Sequence, residues 1–162
     1  MSFAGKLGWM LSLVLAIALA AMAYTFLVKG QTVAYADGRT SILLAPAERN
    51  KVLGEMRGVL SGVQSILEDA GNADLKSAAQ TARSLGMAAA SQDTAIIAKL
   101  PLDFKSLGLG LHRSFDDLAD SIAATDDPMS VVQDVSNLML QCVACHDSYR
   151  LGIEGEKAGG DS

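Results

Sequence analysis

Residues 127–146 read DPMSVVQDVSNLMLQCVACH and combine a helix start, an apolar stripe and a cysteine–histidine motif. Asp127 suits the N-cap position of a helix, and Pro128 suits its first turn. Apolar residues then recur every three or four positions, which is the spacing of one face of an amphipathic helix: Val131, Val135, Leu138 and Cys142. The stretch therefore predicts a helix whose inner face runs into the motif Cys142-Val143-Ala144-Cys145-His146.

The motif Cys-x-x-Cys-His is the attachment pattern of c-type heme. Two thiols add to the two vinyl groups on one porphyrin edge, so both thiols must face the same side. Helical positions three and four apart share a face, so Cys142, Cys145 and His146 converge. We expect one covalently bound heme c, with Cys142 and Cys145 as thioether anchors and His146 as the proximal iron ligand. Met139, one turn before Cys142, is expected to help cover the ring.

Two other interpretations of the motif fit the sequence less well. A thioredoxin-like dithiol needs a strand–turn–helix context, which the pattern around Cys142 does not predict. A structural zinc site takes about four ligands. The chain has two Cys and two His, and one of them, His112, would have to come from another helix.

Three further helices are expected upstream of the motif helix. Apolar residues at helical spacing predict one helix from Pro46 to Gly71, a second after an Asn72 cap, and a third from about Phe104 to Ala124. Residues 91–100 are expected to form one short turn. No two-residue alternation indicates a strand between residues 46 and 151. Four amphipathic helices joined by short loops bury their apolar stripes best as an antiparallel bundle.

The N-terminal segment from Leu7 to Val28 is uncharged and mainly apolar. As a helix of about 22 residues it spans roughly 33 Å, which matches the hydrocarbon thickness of a bilayer. Trp9 and Tyr24 lie near its two ends, where aromatic rings favour the membrane interface. A cleaved signal peptide is the alternative, with cleavage after Ala23 or Ala36. The length of the apolar segment favours a retained transmembrane anchor.

Length and charge set the outline of the chain. The 162 residues suffice for one small domain and an anchor. The predicted organisation is a transmembrane signal-anchor at 1–30, a linker at 31–45, a heme c bundle at 46–151 and a flexible tail at 152–162. The 18 acidic and 13 basic residues leave a net charge of −5. The absence of clustered Lys and Arg argues against nucleic acid as a partner.

A helical bundle with the motif in its last helix, continued here as Asp147-Ser148-Tyr149-Arg150, resembles the class II cytochromes c. This family comprises cytochrome c-prime and its low-spin relatives. The resemblance covers about residues 46–151 and depends mainly on the motif near the C-terminus, because class I cytochromes c carry theirs near the N-terminus. It implies an all-α, antiparallel four-helix bundle with one covalent heme and His146 as proximal ligand. The predicted N-terminal transmembrane helix departs from the usual soluble form of the family.

The resemblance also bears on the distal face of the iron, which the first helix of the bundle covers. Low-spin members supply a Met sulfur there, and Met56 is the candidate in this chain. In five-coordinate members an apolar residue blocks that face; an Arg often stands four residues before it, so that Arg49 would point to Leu53. His112 is a third candidate, because His is a strong iron ligand. Arg150 is expected near a heme propionate.

A Met/His pair saturates the iron, excludes exogenous ligands and raises the reduction potential. We therefore expect an electron carrier rather than an enzyme, since no acid–base pair or nucleophile can be recognised. Its expected partners are a redox protein or a membrane electron-transport complex. The heme domain is expected on the periplasmic side of a bacterial inner membrane. Two alternatives remain, a five-coordinate protein that binds NO or CO, and a heme subunit with a mainly structural role in a membrane assembly.

One acidic cluster in the sequence allows two interpretations. Asp116, Asp117 and Asp120 lie within one and a half turns of the third predicted helix. Such a cluster is expected to be a solvated face, or else to steer a basic redox partner.

Overall fold

The computed structural model describes residues 3–90 and 93–159, and within these ranges the chain is mostly helical. The helices are α1 (Phe3–Ala23, continued by a π-helical segment Tyr24–Lys29), α2 (Pro46–Gly71), α3 (Leu75–Ser84), α4 (Thr94–Lys99), α5 (Leu102–Ala123) and α6 (Pro128–Ser148). A short 3₁₀ turn covers Met87–Ala89. The strands are β1 (Thr32–Ala34), β2 (Thr40–Leu44) and β3 (Tyr149–Ile153). The expectation of a mainly helical protein with an N-terminal apolar helix is confirmed.

The two helices that matter most for the motif begin as their sequences predict. In α6 the Asp127 carboxylate accepts a hydrogen bond from the Met129 amide at 2.9 Å, and Pro128 occupies the first turn. In α2 the Glu48 carboxylate accepts from the Ala45 amide at 2.8 Å. These caps satisfy amides that the helix itself leaves unbonded.

The start of α3 differs from the prediction. Asp74, not Asn72, caps this helix, and its carboxylate accepts from the Ser77 amide at 3.1 Å. The reason is that Ala73 has a φ of 57°, so the chain still turns at this residue and the helix begins after it. A short helix (α4) also forms where one turn was expected.

The larger apolar core lies between α2, α3, α5 and α6. Its members come from the stripes that the sequence predicts, and the largest are fully buried: Ile66, Phe115, Ile122, Val131 and Val135. Burial of apolar surface is the main favourable contribution to the free energy of folding. This core therefore holds the four long helices of the domain together.

A smaller second core lies at the other end of the domain, under a three-stranded sheet of order β1-β2-β3. β1 pairs with β2 antiparallel, and β2 pairs with β3 parallel, with Ser41 opposite Arg150. The buried members of this core come from β2, α2, α4, β3 and the residue that ends α4: Ile42, Leu44, Val52, Ile96, Leu100 and Leu151.

The expected linker at 31–45 and flexible tail at 152–162 are therefore wrong for much of their length. β1 and β2 form a hairpin inside the domain, and β3 extends through Ile153. The Gly159 amide also donates to the Ala34 carbonyl at 3.2 Å. These strands are short and depend on pairing between distant parts of the chain, which periodicity does not show. The last tail residues, 160–162, lie outside the described residues.

The helical segment Lys6–Lys29 is long and apolar enough to cross a membrane, by length and composition. Its end is held directly against the domain. Lys105 Nζ donates to the carbonyls of Phe26 and Leu27 at 3.3 Å each, and the Gln31 amide donates to the Lys99 carbonyl at 2.7 Å. No flexible linker separates this apolar segment from the domain within the described residues.

Gly30 is the tightest point of this junction. It adopts φ 64° and ψ −168°, a backbone region that is essentially restricted to glycine. A Cβ atom added there would overlap the backbone of Lys99, Leu100 and Pro101.

We predict that Gly30→Ala destabilises the domain more than Gly38→Ala. Gly38 also has a positive φ of 88°, but a Cβ there meets no atom within 4 Å. The Gly38 variant should lose about 1–2 kcal/mol from backbone strain alone, and the Gly30 variant should lose more because of the overlap. Urea unfolding of the full chain in detergent, followed by circular dichroism, measures both. Equal losses would contradict a close approach at Gly30.

Candidate functional site

A cavity of about 200 Å³ opens where the starts of α2 and α5, the end of α6, the start of β3 and the β1–β2 turn meet. Its apolar and aromatic wall is formed by Leu53, Met56, Phe104, Tyr149 and Leu151. Its polar wall is formed by Arg39, Arg49, Cys145, His146 and Arg150. Four of the predicted site residues thus line one cavity, namely Met56, Cys145, His146 and Arg150.

The inner face of α6 changes character at the motif. Val131, Val135 and Leu138 are at most 5% exposed. Cys142 and Cys145 continue the same spacing but are only half-buried. Cysteine is among the residue types most often buried. The core thus stops short of the two cysteines.

The larger and the smaller apolar core end on either side of the Cys142–His146 motif, as seen along the helix axes. On α2, Val59 packs against the larger core, whereas Met56, one turn earlier, packs against the smaller one. On α5, Leu111 belongs to the larger core and Phe104 to the smaller. Between them, at the same helical spacing, stands Gly108, where an added Cβ would meet no atom within 4 Å. Few apolar contacts therefore form at Gly108 on α5 and at the two cysteines on α6.

Both cysteine thiols are partly desolvated. Burial raises the pKa of the Cys142 thiol, and burial together with the neighbouring Cys142 raises the pKa of the Cys145 thiol. Reactive dithiols are recognised by a lowered pKa and a positive environment that favours the thiolate. The direction of both shifts is opposite to the one that favours a thiolate.

Two iron-ligand types occur on the walls of the cavity. His146 is exposed in the last turn of α6, and its carbonyl lies 3.4 Å from Arg39 Nη1. Met56 is half-buried on α2. Imidazole nitrogen and thioether sulfur are the axial ligands of many heme irons. The structure thus brings both predicted ligands to one cavity.

The three arginines of the cavity are held in different ways. Arg49 Nε donates to the Leu151 carbonyl at 2.9 Å. Arg150 forms an ion pair with Glu156, and its guanidinium lies 3.8 Å from the centre of the Tyr35 ring. Arg39 pairs with Asp37 at 2.7 Å. Arg150 is the second residue of β3 and does not extend the motif helix. Because it already pairs with Glu156, its expected contact with a propionate competes with this carboxylate.

Three predicted residues do not line the cavity. Met139 is 40% exposed and does not line the cavity, which reaches only the last turn of α6. Its expected role in covering the ring is not supported by this position. Cys142 lies one turn before Cys145, beyond the cavity wall. His112 Nδ1 is hydrogen-bonded with the Leu85 carbonyl at 2.7 Å, away from the cavity.

The acidic cluster on α5 is partly neutralised. Arg83 pairs with Asp116 at 3.1 Å and also with Asp120. The Asp116 carboxylate accepts from the Met87 amide as well, and this bond and Arg83 lower the pKa of Asp116. Much of the cluster therefore has a structural partner.

The sequence analysis gave no site role to four residues of the cavity: Arg39, Phe104, Tyr149 and Leu151. Phe104 packs edge-to-face on Tyr149, with ring centres 5.4 Å apart. Arg39 fell in the expected linker. The Asp37-Gly38 pair just before it is a turn signature, and this was the available indication of a hairpin.

Within residues 3–90 and 93–159, no group of three or more His, Cys, Asp or Glu side chains could hold a metal ion. Comparison of the chain with protein-family models, with curated proteins and with solved structures found no match.

Proposed function

We propose that this chain is a membrane-anchored c-type cytochrome, similar to the class II cytochromes c, that transfers electrons. One observation carries the proposal. A single cavity collects Cys145 and His146 of the heme-attachment motif, Met56 from a second helix, and three guanidinium groups.

The chemistry of the cavity fits heme c. Heme is a flat apolar ring with a central iron and two carboxylates on one edge, and the cavity offers an apolar wall, two iron-ligand types and positive charge. The cavity is smaller than a usual ligand pocket of about 300–1,000 Å³. Next to it, the Cα of Gly108 faces open space and Cys142 is only half-buried. Both features support a ring that extends from the cavity towards both thiols.

The roles of the residues follow from their chemistry. Cys142 and Cys145 would hold the ring by thioether bonds, with His146 as proximal and Met56 as distal ligand. Heme c supplies a reversible one-electron change at its iron. Two side-chain ligands would leave no position for an exogenous ligand at such an iron. We further propose that α2, α3, α5 and α6 form the antiparallel four-helix bundle of this class.

The N-terminal region supports a retained anchor. Cleavage after Ala36 would remove β1, whose Ala34 carbonyl accepts from the Gly159 amide. It would also remove Tyr35, which stacks with Arg150. We propose a single-pass protein of a bacterial inner membrane with its heme domain in the periplasm. A redox protein or a membrane electron-transport complex is the proposed partner.

A second candidate function is gas binding by a five-coordinate iron. Leu53 also lines the cavity, one turn before Met56, and Arg49 lies a further turn back on α2. This is the arrangement that the resemblance implies for members with a blocked distal face. Such a protein would bind NO or CO rather than carry electrons.

The first test is for covalent heme. We predict that the full chain, produced in cells that attach heme c, gains the mass of one heme and stays coloured after acid extraction. Its pyridine hemochrome spectrum should be that of a heme with two thioether bonds. The variant with both Cys142→Ser and Cys145→Ser should lose the covalent heme. A colourless wild-type chain with an unmodified mass would overturn the proposal.

We predict that Met56→Ala converts a low-spin spectrum to a high-spin one and lets the reduced protein bind CO. The reason is that the variant loses the sulfur that fills the distal position. Met129→Ala is the matched control, because Met129 is 60% exposed on α6; its spectrum should not change. If the wild-type protein itself binds CO rapidly and stoichiometrically, the gas-binding function is favoured instead.

We predict that Gly108→Leu reduces the amount of heme attached, because a long side chain would occupy space that the ring requires. Gly58→Leu on α2 is the control: Gly58 is exposed, and an added Cβ there also meets no atom within 4 Å. Both variants gain similar helix propensity. The ratio of heme to protein measures the difference, and equal ratios would argue against a ring beside Gly108.

A further inference from the structure

We propose that Arg39, at the end of the turn Tyr35–Arg39 between β1 and β2, binds one of the two heme propionates. The turn then serves as a recognition element for the carboxylate edge of the porphyrin. This inference rests on the proposed function and adds an element that the bundle itself does not contain.

The charge of the cavity indicates an anionic ligand. Three arginines line it, and no Asp or Glu does, within the part of the chain that the structure describes. The whole chain carries a net charge of −5, so this concentration of cations runs against its composition. Arginine offers a planar fork of donors that matches a carboxylate. A ligand with two carboxylates on one edge suits such a cavity.

Arg39 has the donor geometry for this role. Its Nε and Nη2 donate to Asp37 Oδ2 at 2.9 and 2.7 Å. Its remaining nitrogen, Nη1, donates to the carbonyl of His146 at 3.4 Å, and one of the two Nη1 hydrogens suffices for this bond. Asp37 therefore fixes one side of the guanidinium and leaves the other side next to the proposed proximal ligand.

Hydrogen bonds within the Tyr35–Arg39 turn fix the position of the Arg39 backbone. The Tyr35 amide donates to the Arg39 carbonyl at 2.9 Å, and the Gly38 amide donates to the Tyr35 carbonyl at 3.1 Å. The Tyr35 ring also stacks on the guanidinium of Arg150. One five-residue turn thus orients two of the three arginines at the end of α6.

The charged groups around Arg39 come from each neighbouring element. Asp37 lies on its own turn, and hydrogen bonds from Arg39 hold the pKa of Asp37 below its ordinary value. On α6, Asp147 raises the pKa of Arg39, although less than Asp37 does. The cavity and its rim contribute further groups: Arg49, His146, Tyr149, Arg150 and, paired with Arg150, Glu156. Asp37 is the carboxylate that competes with a propionate for Arg39.

The experiment follows the two propionates directly. The full chain is produced with ¹³C-labelled aminolevulinate, which places label on the propionate carboxyl carbons. Carbon NMR of the reduced protein then gives the pKa of each propionate. Arg39→Gln should raise the pKa of one propionate by about 1 or more, because an adjacent cation lowers a carboxyl pKa by that order. Asp37→Asn should lower the same pKa, since it removes the competing carboxylate.

Arg113→Gln is the matched control, because Arg113 is exposed on α5 and does not line the cavity. It should leave both propionates unchanged. Arg39→Lys keeps the charge and the ion pair with Asp37 but loses the planar set of guanidinium donors. The pKa of the affected propionate in this variant should therefore fall between those of wild type and Arg39→Gln. This variant keeps the test informative if Arg39→Gln folds poorly.

Two failures are distinguishable. Unchanged propionate titration in Arg39→Gln, with covalent heme present, overturns this inference and leaves the proposed function standing. Equal shifts of both propionates in Arg39→Gln and Arg113→Gln also overturn it, since they indicate only long-range charge. A wild-type chain without covalent heme overturns the proposed function itself.

Discussion

The parallel pairing of β2 with β3 is the interaction on which the rest of the site depends. β2 ends at Leu44 and leads through one residue into α2, and α6 leads directly into β3. Pairing of the two strands therefore places the start of α2 beside the end of α6. Met56 and His146 line one cavity because of this pairing, although they lie 90 residues apart in the chain. The same sheet carries β1 and so brings the Tyr35–Arg39 turn to the cavity.

The interrupted core links the fold to the proposed cofactor. Only 5% of the residues are aromatic, so the helices have few large side chains with which to fill wide spaces between them. Apolar packing is complete at Phe115 and again at Leu44, but it is thin at the level of the motif. Protein interiors are normally close-packed. The half-buried cysteines and Gly108 are thus consistent with a ring that completes the core.

Local patterns predicted what depends on local interactions. The bounds of α2 and the capped start of α6 follow from proline, acidic caps and helical spacing. Met56, Cys145 and His146 line one cavity, and their roles toward a heme stay predictions. The start of α3 was missed for a local reason, the positive φ of Ala73, but the strands were missed because they depend on distant contacts. β3 has five residues and pairs with a strand more than 100 positions earlier, and neither length nor alternation marks it. Arg39 was missed for the same reason, since its place at the cavity follows from that pairing. Met139 does not line the cavity; helical spacing gives the face of a residue but not how far along the helix a cavity extends.

The junction between the apolar helix and the domain has a mechanical consequence. Hydrogen bonds from Lys105 and Gln31, and the tight backbone at Gly30, hold the end of that helix against α4 and α5. In a bilayer, this hydrogen-bonded junction would restrict the movement of the domain relative to the apolar helix, which a flexible linker would allow. The domain would then keep a fixed height and tilt above the lipid surface.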